Sequence, residues 1–263
     1  MAKIFYFTGT GNCYSVANRL GEKLGAELVA ITDYLSHPYI VEDAVIGIVT
    51  PVYSMDLPQV VAEFLEKVQL QETRYIFCVA TMGALAGRTL YHVKEILHKR
   101  KLILSAGFTV PLPDNSIIFP SGEKRMQMLL AAEEETVNNI GELLKEHEEN
   151  SVKMKDFFLW KIVAAVGMWS LKSVLNVKHK KINKDKCNGC GICAKICPAG
   201  CITMEKGHPV FGEGCLTCFG CAQWCPNEAI NLGWLHPTGK TKYVHPGVDV
   251  QDISGRHMLD CKK

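Results

Sequence analysis

Nine of the chain's twelve cysteines fall in one stretch of 40 residues, 187–226, and eight of the nine form a repeat. Each half reads Cys-x2-Cys-x2-Cys-x3-Cys-Pro, and the second half follows the first after 28 residues. Three closely spaced thiolates can bind three irons of a [4Fe–4S] cluster, while the cysteine before the proline reaches the neighbouring cluster. The repeat therefore predicts two [4Fe–4S] clusters.

In the crossing pattern, each cluster takes three ligands from one half of the repeat and one from the other. The predicted ligands of one cluster are Cys187, Cys190, Cys193 and Cys225, and those of the other are Cys215, Cys218, Cys221 and Cys197. A zinc site has no use for a third cysteine at this spacing. Disulfides require an oxidising compartment and a secretory signal, and the sequence offers no such signal.

At 263 residues the chain is too long for the cluster region alone, so a second domain is expected. Its 48% hydrophobic and 21% charged residues are typical of a soluble globular protein. A net charge of +2 gives no reason to expect nucleic acid as a partner. With no apolar stretch long enough to span a bilayer, and with cysteines used as metal ligands, we expect a cytoplasmic protein.

The N-terminal segment has the pattern of a phosphate-binding loop. An apolar strand, Ile4–Phe7, runs into small and hydroxylated residues that precede a helical pattern. Backbone N–H groups at a helix N-terminus favour an anion, and neither the dinucleotide nor the Walker pattern is present. A loop with hydroxyls and without lysine suits a phosphate monoester such as that of FMN, although a simple tight turn remains an alternative. Its residues are Thr8, Gly9, Thr10, Gly11, Asn12 and Cys13.

Apolar strands and amphipathic helices then alternate as far as about residue 110, which predicts a parallel sheet covered on both faces. Strands are expected at 28–31, 44–50, 75–80 and 102–110. Ligands of such sheets bind at the carboxyl ends of the strands. The loops expected beside a flat ring are Pro51, Val52, Tyr53 and Ser54, and Thr81, Met82 and Gly83. Tyr53 is either an aromatic wall for that ring or an ordinary packed tyrosine.

The loop 8–12 after an apolar strand resembles the phosphate loop of flavodoxins, and the loops 51–54 and 81–83 fall where that family encloses its isoalloxazine ring. The resemblance implies a doubly wound, five-stranded parallel sheet of order 2-1-3-4-5 and bound FMN. Cys13 stands where flavodoxins usually place a threonine, so a weak thiol replaces one hydroxyl donor. Next to a helix N-terminus, Cys13 is either a low-pKa thiol or a small packing residue.

Between the two cofactor regions we expect a long helix from a Ser121 cap to about Asn150, followed by a linker rich in apolar residues and lysines. The inward residues of the helix are predicted to include Met128, and its Glu133–Glu135 run is expected to be solvated. Segment 153–186 either docks the two domains together or makes a weak contact with a membrane surface or partner.

The chain as a whole resembles the fused flavodoxin/ferredoxin electron-transfer proteins, including their Pro-Asp-Asn turn at 113–115 and their closing segment at 241–246. The resemblance implies a flavodoxin-like FMN domain (1–150), a helical linker (151–180) and a small α+β two-[4Fe–4S] ferredoxin domain (181–263). Short hairpins are expected at Ile202–Phe211.

The predicted function is electron transfer between the clusters, FMN and redox-protein partners, linking one-electron and two-electron chemistry. Two alternatives remain open: an FMN-dependent reductase of a small organic or quinone acceptor, and a ferredoxin with a flavin-free docking domain. No side chain stands out as an acid, base or nucleophile, so a carrier is favoured over an enzyme.

Overall fold

The computed structural model describes residues 1–150, 152, 158–170, 173 and 179–255. Thirteen residues of the predicted linker 151–180, together with residues 256–263, lie outside the described residues.

The N-terminal half contains a five-stranded parallel sheet with the order β2-β1-β4-β6-β7. When only these five strands are numbered in chain order, the order is 2-1-3-4-5. This order confirms the predicted flavodoxin-like fold. Its strands are β1 (Ala2–Tyr6), β2 (Ala26–Ala30), β4 (Val45–Pro51), β6 (Tyr75–Met82) and β7 (Ala106–Pro111). The three central strands, β1, β4 and β6, are largely apolar and buried because helices cover both faces of the sheet.

Helices alternate with these strands and bury one face each against the sheet. They are α1 (Asn12–Leu24), α2 (Ile31–Ser36), α3 (Gln59–Lys67), α4 (Thr89–Lys99) and α5 (Glu123–Lys145). A short parallel pair, β3 (Ile40–Val41) and β5 (Gln69–Leu70), lies outside the main sheet.

Three details of the predicted elements are wrong. The last strand begins at Ala106 instead of Leu102, because its pairing with β6 starts only at the partners Phe77 and Ala106. Ser121 does not cap α5; its hydroxyl accepts a hydrogen bond from the Asp114 backbone N–H at 2.9 Å. Met128 was predicted to face inward but is 59% exposed.

The C-terminal half consists of short elements. Helix α6 (Phe158–Trp169) precedes β8 (Lys180–Ile182), α7 (Ile192–Lys195), β9 (Ile202–Glu205), β10 (His208–Phe211), α8 (Gly220–Gln223), β11 (Ile230–Leu232) and α9 (Val250–Ile253). Strands β9 and β10 form the predicted hairpin, and β11 pairs antiparallel with β8. Within the described part of the chain, none of the helices combines the length and apolarity needed to cross a membrane.

Candidate redox site

The structure brings the eight repeat cysteines together in two cavities. Cys187, Cys190, Cys193 and Cys225 line one of them, and Cys197, Cys215, Cys218 and Cys221 line the other. Each cavity thus contains three cysteines from one half of the repeat and the far cysteine of the other half. We call them the outer and the inner cavity, since Cys190 is exposed whereas Cys218 and Cys221 are buried.

Backbone hydrogen bonds reach cysteine sulfurs in both cavities. Backbone N–H groups donate to thiol sulfurs in both cavities, from Ala229 to Cys225 and from Thr217 to Cys215, each at 3.3 Å. Such hydrogen bonds stabilise cluster thiolates and tune the reduction potential.

Two further side chains in the inner cavity had no role assigned from the sequence. Lys180 donates from Nζ to Cys215 Sγ at 2.8 Å, and Cys201 Sγ lies 3.6 Å from Cys197 Sγ. The hydrogen bond with Cys201, together with the Lys180 charge, lowers the pKa of Cys215 to about 5 despite burial. The hydrogen bonds of Cys201 with Cys197 and Cys215 raise the pKa of Cys201. Lys180 could not be singled out from the sequence, because it is one of many lysines near the linker.

Replacing Lys180 with methionine is expected to lower the reduction potential of the inner cluster. A cation beside a ligand sulfur favours the reduced, more negative cluster, and one tenfold change in that preference corresponds to about 59 mV for one electron. We expect a shift on the order of 50 mV in a redox titration followed by electron paramagnetic resonance. The neighbouring Lys181→Met is the matched control, because Lys181 is exposed; an unchanged potential in Lys180→Met would contradict the assignment.

The predicted phosphate loop lies at the N-terminus of α1, where Gly11 adopts a left-handed φ of 101°. The first helical bond runs from the Ser15 N–H to the Gly11 carbonyl, so the N–H groups of Asn12 and Cys13 precede it. Thr8 Oγ1 accepts a hydrogen bond from the Gly11 N–H at 3.1 Å, and Thr10 Oγ1 accepts one from Asn115 Nδ2 at 3.3 Å. Each hydroxyl retains a proton to donate, which fits a phosphate group.

Eleven of the thirteen residues predicted to bind the flavin line one cavity. They are Thr8, Gly9, Thr10, Asn12, Cys13, Pro51, Val52, Tyr53, Thr81, Met82 and Gly83, and they are joined by Pro113, Asp114 and Asn115. The resemblance pointed to the 113–115 turn without assigning it a role. The volume of this cavity is about 50 Å³. Its hydrogen-bond donors suit the phosphate group of FMN, but the loops 51–54 and 81–83 would have to move apart to admit the isoalloxazine ring.

Two predicted flavin residues lie elsewhere. Gly11 faces the C-terminal tail, where a Cβ would come within 2.9 Å of His245 Cβ. Ser54 lies against α6, with its Cβ 3.2 Å from the position of a Cβ on Gly167. Helix α6 also pairs with the flavodoxin half through Lys161 and Glu95, whose charged atoms are 3.6 Å apart.

Cys13 is a buried thiol and not a reactive one. Its sulfur is 3.1 Å from Thr81 Oγ1, and burial raises the pKa of Cys13 to about 12. The low-pKa alternative is therefore wrong. The Asn12 side chain is also occupied, since its Oδ1 accepts from the Tyr243 hydroxyl at 2.7 Å and its Nδ2 donates to the Pro113 carbonyl at 3.0 Å. The backbone N–H of Asn12 and the second hydrogen of its Nδ2 remain to donate to a phosphate.

The cluster region packs directly on the phosphate loop. A Cβ at Gly9 would lie 2.5 Å from the Cys218 carbonyl oxygen, so this close approach requires glycine. The Trp224 indole N–H donates to the Gly9 carbonyl at 3.1 Å, and the His245 backbone N–H donates to the Thr10 carbonyl at 2.8 Å. The inner cavity therefore adjoins the flavin loop through Cys218.

Comparisons with known proteins match a segment in each half of the chain. A flavodoxin domain model matches residues 3–105, and a 4Fe-4S binding domain model matches residues 180–203. A pyruvate synthase subunit PorD from Methanothermobacter marburgensis is 41% identical over 51 residues, which are 19% of this chain and 60% of that relative. A ferredoxin from Methanocaldococcus jannaschii is 33% identical over 64 residues, which are 22% of this chain and 83% of the relative.

Among solved structures, the two-electron reduced flavodoxin of Megasphaera elsdenii is 18% identical to this chain, with a TM-score of 0.33. The alignment covers 52% of this chain and 99% of the flavodoxin chain. The sheet order, the cysteine cavities and the domain matches define an iron–sulfur flavoprotein of the electron-transfer class that holds FMN and 4Fe-4S clusters. The chain belongs to the fused flavodoxin/ferredoxin proteins.

Proposed function

We propose that this protein carries electrons between redox-protein partners along a fixed route: the outer cluster, the inner cluster and FMN. The observation that carries this proposal is the contact between the inner-cavity residue Cys218 and the phosphate-loop residue Gly9. Because nothing separates the two backbones there, the route needs no motion of one domain against the other. Exposure of Cys190 at the outer cavity supports that end as the point of contact with a one-electron partner.

FMN supplies the ability to take one or two electrons, whereas each cluster passes one at a time. The chain's own residues hold and shield these groups. The loop hydroxyls of Thr8 and Thr10 and the first N–H groups of α1 would bind the phosphate, and the eight repeat cysteines would bind iron. Trp224 and the backbone of Cys218 lie directly against the loop at Gly9.

Anaerobic purification followed by iron, sulfide and flavin assays tests this function. We expect about eight irons and one FMN for each chain, because both cavities have four cysteine ligands. Reduction by dithionite should then be followed by electron transfer to cytochrome c, a one-electron protein acceptor. Eight irons without flavin, even after FMN is supplied, would favour the flavin-free docking domain instead.

A further inference from the structure

Helix α6 exposes one apolar face to solvent. Ile162, Val166 and Trp169 are 46%, 57% and 62% exposed, and they follow the i, i+4, i+7 spacing of a single helix face. Val163 lies beside them and is 42% exposed. We call these four residues the α6 face. Large apolar side chains that are exposed together, unlike scattered ones, mark a surface that binds a partner or a membrane.

The opposite side of the helix packs on the flavodoxin half. Ala164 lies on that side and is buried, and the Lys161 ammonium group is 3.6 Å from a Glu95 carboxylate oxygen. A Cβ on Gly167 would lie 3.2 Å from the Cβ of Ser54. These contacts hold α6 against the flavodoxin half with the α6 face directed away from it.

The segment that contains α6 is strongly basic. Residues 153–186 include nine lysines and two aspartates, which give this segment a net charge of +7. Since the whole chain carries +2, its other residues together carry −5. Within α6 the sequence has no Asp or Glu, and the neighbouring Glu95 is already paired with Arg88 at 2.5 Å as well as with Lys161. The surroundings of the α6 face therefore attract an anionic partner.

These properties discriminate between the possible occupants of the α6 face. A second copy of this chain would bring two segments of charge +7 together, and their repulsion opposes such a contact. An anionic lipid bilayer offers an apolar interior for the aliphatic side chains and negative headgroups for the lysines. Tryptophan is favoured at the boundary between the two. The 12 residues of α6 extend about 18 Å, less than the hydrocarbon core of about 30 Å, so the helix suits the surface of a bilayer.

We propose that the α6 face binds the surface of an anionic lipid bilayer, with Ile162, Val166 and Trp169 inserted at the boundary between headgroups and acyl chains. The lysines of segment 153–186 supply the attraction to the headgroups, and the flavodoxin half stays in water on the other side of the helix. This binding does not depend on the proposed electron-transfer function. It brings the whole chain, with both cofactor regions, to a membrane surface.

Cosedimentation of the purified protein, with its iron and flavin, with lipid vesicles tests the binding. One set of vesicles contains equal parts of phosphatidylcholine and phosphatidylglycerol, and the other contains phosphatidylcholine alone. The anionic vesicles should bind at least about tenfold more tightly, because each lysine near a negative surface adds to the attraction. Raising the salt concentration from about 0.1 M to about 1 M should weaken this binding, since the Debye length falls from about 10 Å to about 3 Å.

Trp169→Ala should weaken binding to the anionic vesicles by at least about tenfold, because an inserted tryptophan removes a large apolar surface from water. Trp234→Ala is the matched control, since Trp234 is 61% exposed and lies outside α6. Binding of this control should change by less than about twofold, because a single exposed aromatic residue does not form an interaction surface. Iron and flavin contents equal to those of the wild type show that each variant has folded.

Three results would overturn the proposal: no cosedimentation with the anionic vesicles, equal affinities for anionic and neutral vesicles, or equal affinities of the two tryptophan variants. Sedimentation velocity without lipid tests the second copy as the occupant. Self-association of the wild type that Trp169→Ala abolishes would assign the α6 face to a dimer and overturn the membrane proposal as well.

Discussion

Replacing Cys197 with alanine in a Cys201→Ser background is expected to remove the inner cluster and leave the outer one. Iron should fall from about eight to about four for each chain, because one [4Fe–4S] site loses its fourth ligand. The electron paramagnetic resonance signal of the remaining cluster should be unchanged. The inner cluster is the one beside the flavin loop, so reduction of FMN through the clusters should be lost together with it.

The assignment depends on which cavity contains Cys197. In sequence Cys197 belongs to the run that begins at Cys187, but in the structure it lines the cavity of Cys215, Cys218 and Cys221. The second substitution is needed because Cys201 lies in the same cavity, with its sulfur 3.6 Å from that of Cys197. In the single variant this fifth thiol is placed to become the missing ligand, so Cys197→Ala alone should retain more iron than the double variant.

Two controls make this result specific. Cys201→Ser alone should retain about eight irons, because it leaves all eight repeat cysteines in place. Cys225→Ala should remove the outer cluster instead, since Cys225 lines the cavity of Cys187, Cys190 and Cys193. If the double variant lost the outer cluster and kept the inner one, the crossed assignment would be wrong.

Features that depend on local sequence were predictable. The cysteine spacing predicted two groups of four, since ligands three residues apart must converge wherever the chain lies. Alternation of apolar strands and helices predicted the sheet, because a parallel sheet is buried on both faces. The start of β7 was missed because Leu102–Leu104 are as apolar as a strand but precede the first residue, Ala106, that pairs with β6.

Features that depend on contact between the two halves were not predictable. The bond from Tyr243 to Asn12 joins residues 231 positions apart, and that from Trp224 to Gly9 joins residues 215 positions apart. Neither residue type nor spacing indicates which surfaces meet over such separations. Glu133 is an example of a residue whose burial could not be predicted. It belongs to a run of three glutamates that is typical of a solvated surface, yet it is only 3% exposed. The expectation of a solvated Glu133 was wrong.

Replacing Glu133 with alanine is expected to lower the free energy of unfolding by about 2–5 kcal/mol, since it removes the acceptor of two buried donors. Ser15 Oγ donates to Oε1 at 2.6 Å, and His245 Nε2 donates to Oε2 at 2.8 Å. The Gly247 N–H donates to His245 Nδ1 at 3.1 Å, so the ring proton lies on Nε2 and the histidine is neutral. Glu133 therefore joins α1, α5 and the C-terminal tail that covers the flavin loop.

The expected measurement is an anaerobic thermal midpoint, with Glu134→Ala as the matched control. The Glu134 side chain is 70% exposed, and removing it should change the free energy of unfolding by less than about 0.5 kcal/mol. In Glu133→Ala the tail should also become accessible to proteases, and flavin should be released more readily. Equal midpoints for the two variants would show that the buried carboxylate does not hold the tail.

The pH dependence tests the charge state of the pair. Burial raises the pKa of Glu133, but the hydrogen bonds from His245 and Ser15 outweigh it and hold the pKa below the ordinary 4.5. A lowered carboxyl pKa stabilises the fold above the unfolded value, and that contribution is lost only as pH falls through the folded value. The difference between wild type and Glu133→Ala should therefore be constant from pH 8 to pH 5.5. A difference that grows over this range as pH falls would show that His245 binds a proton and forms an ion pair with Glu133.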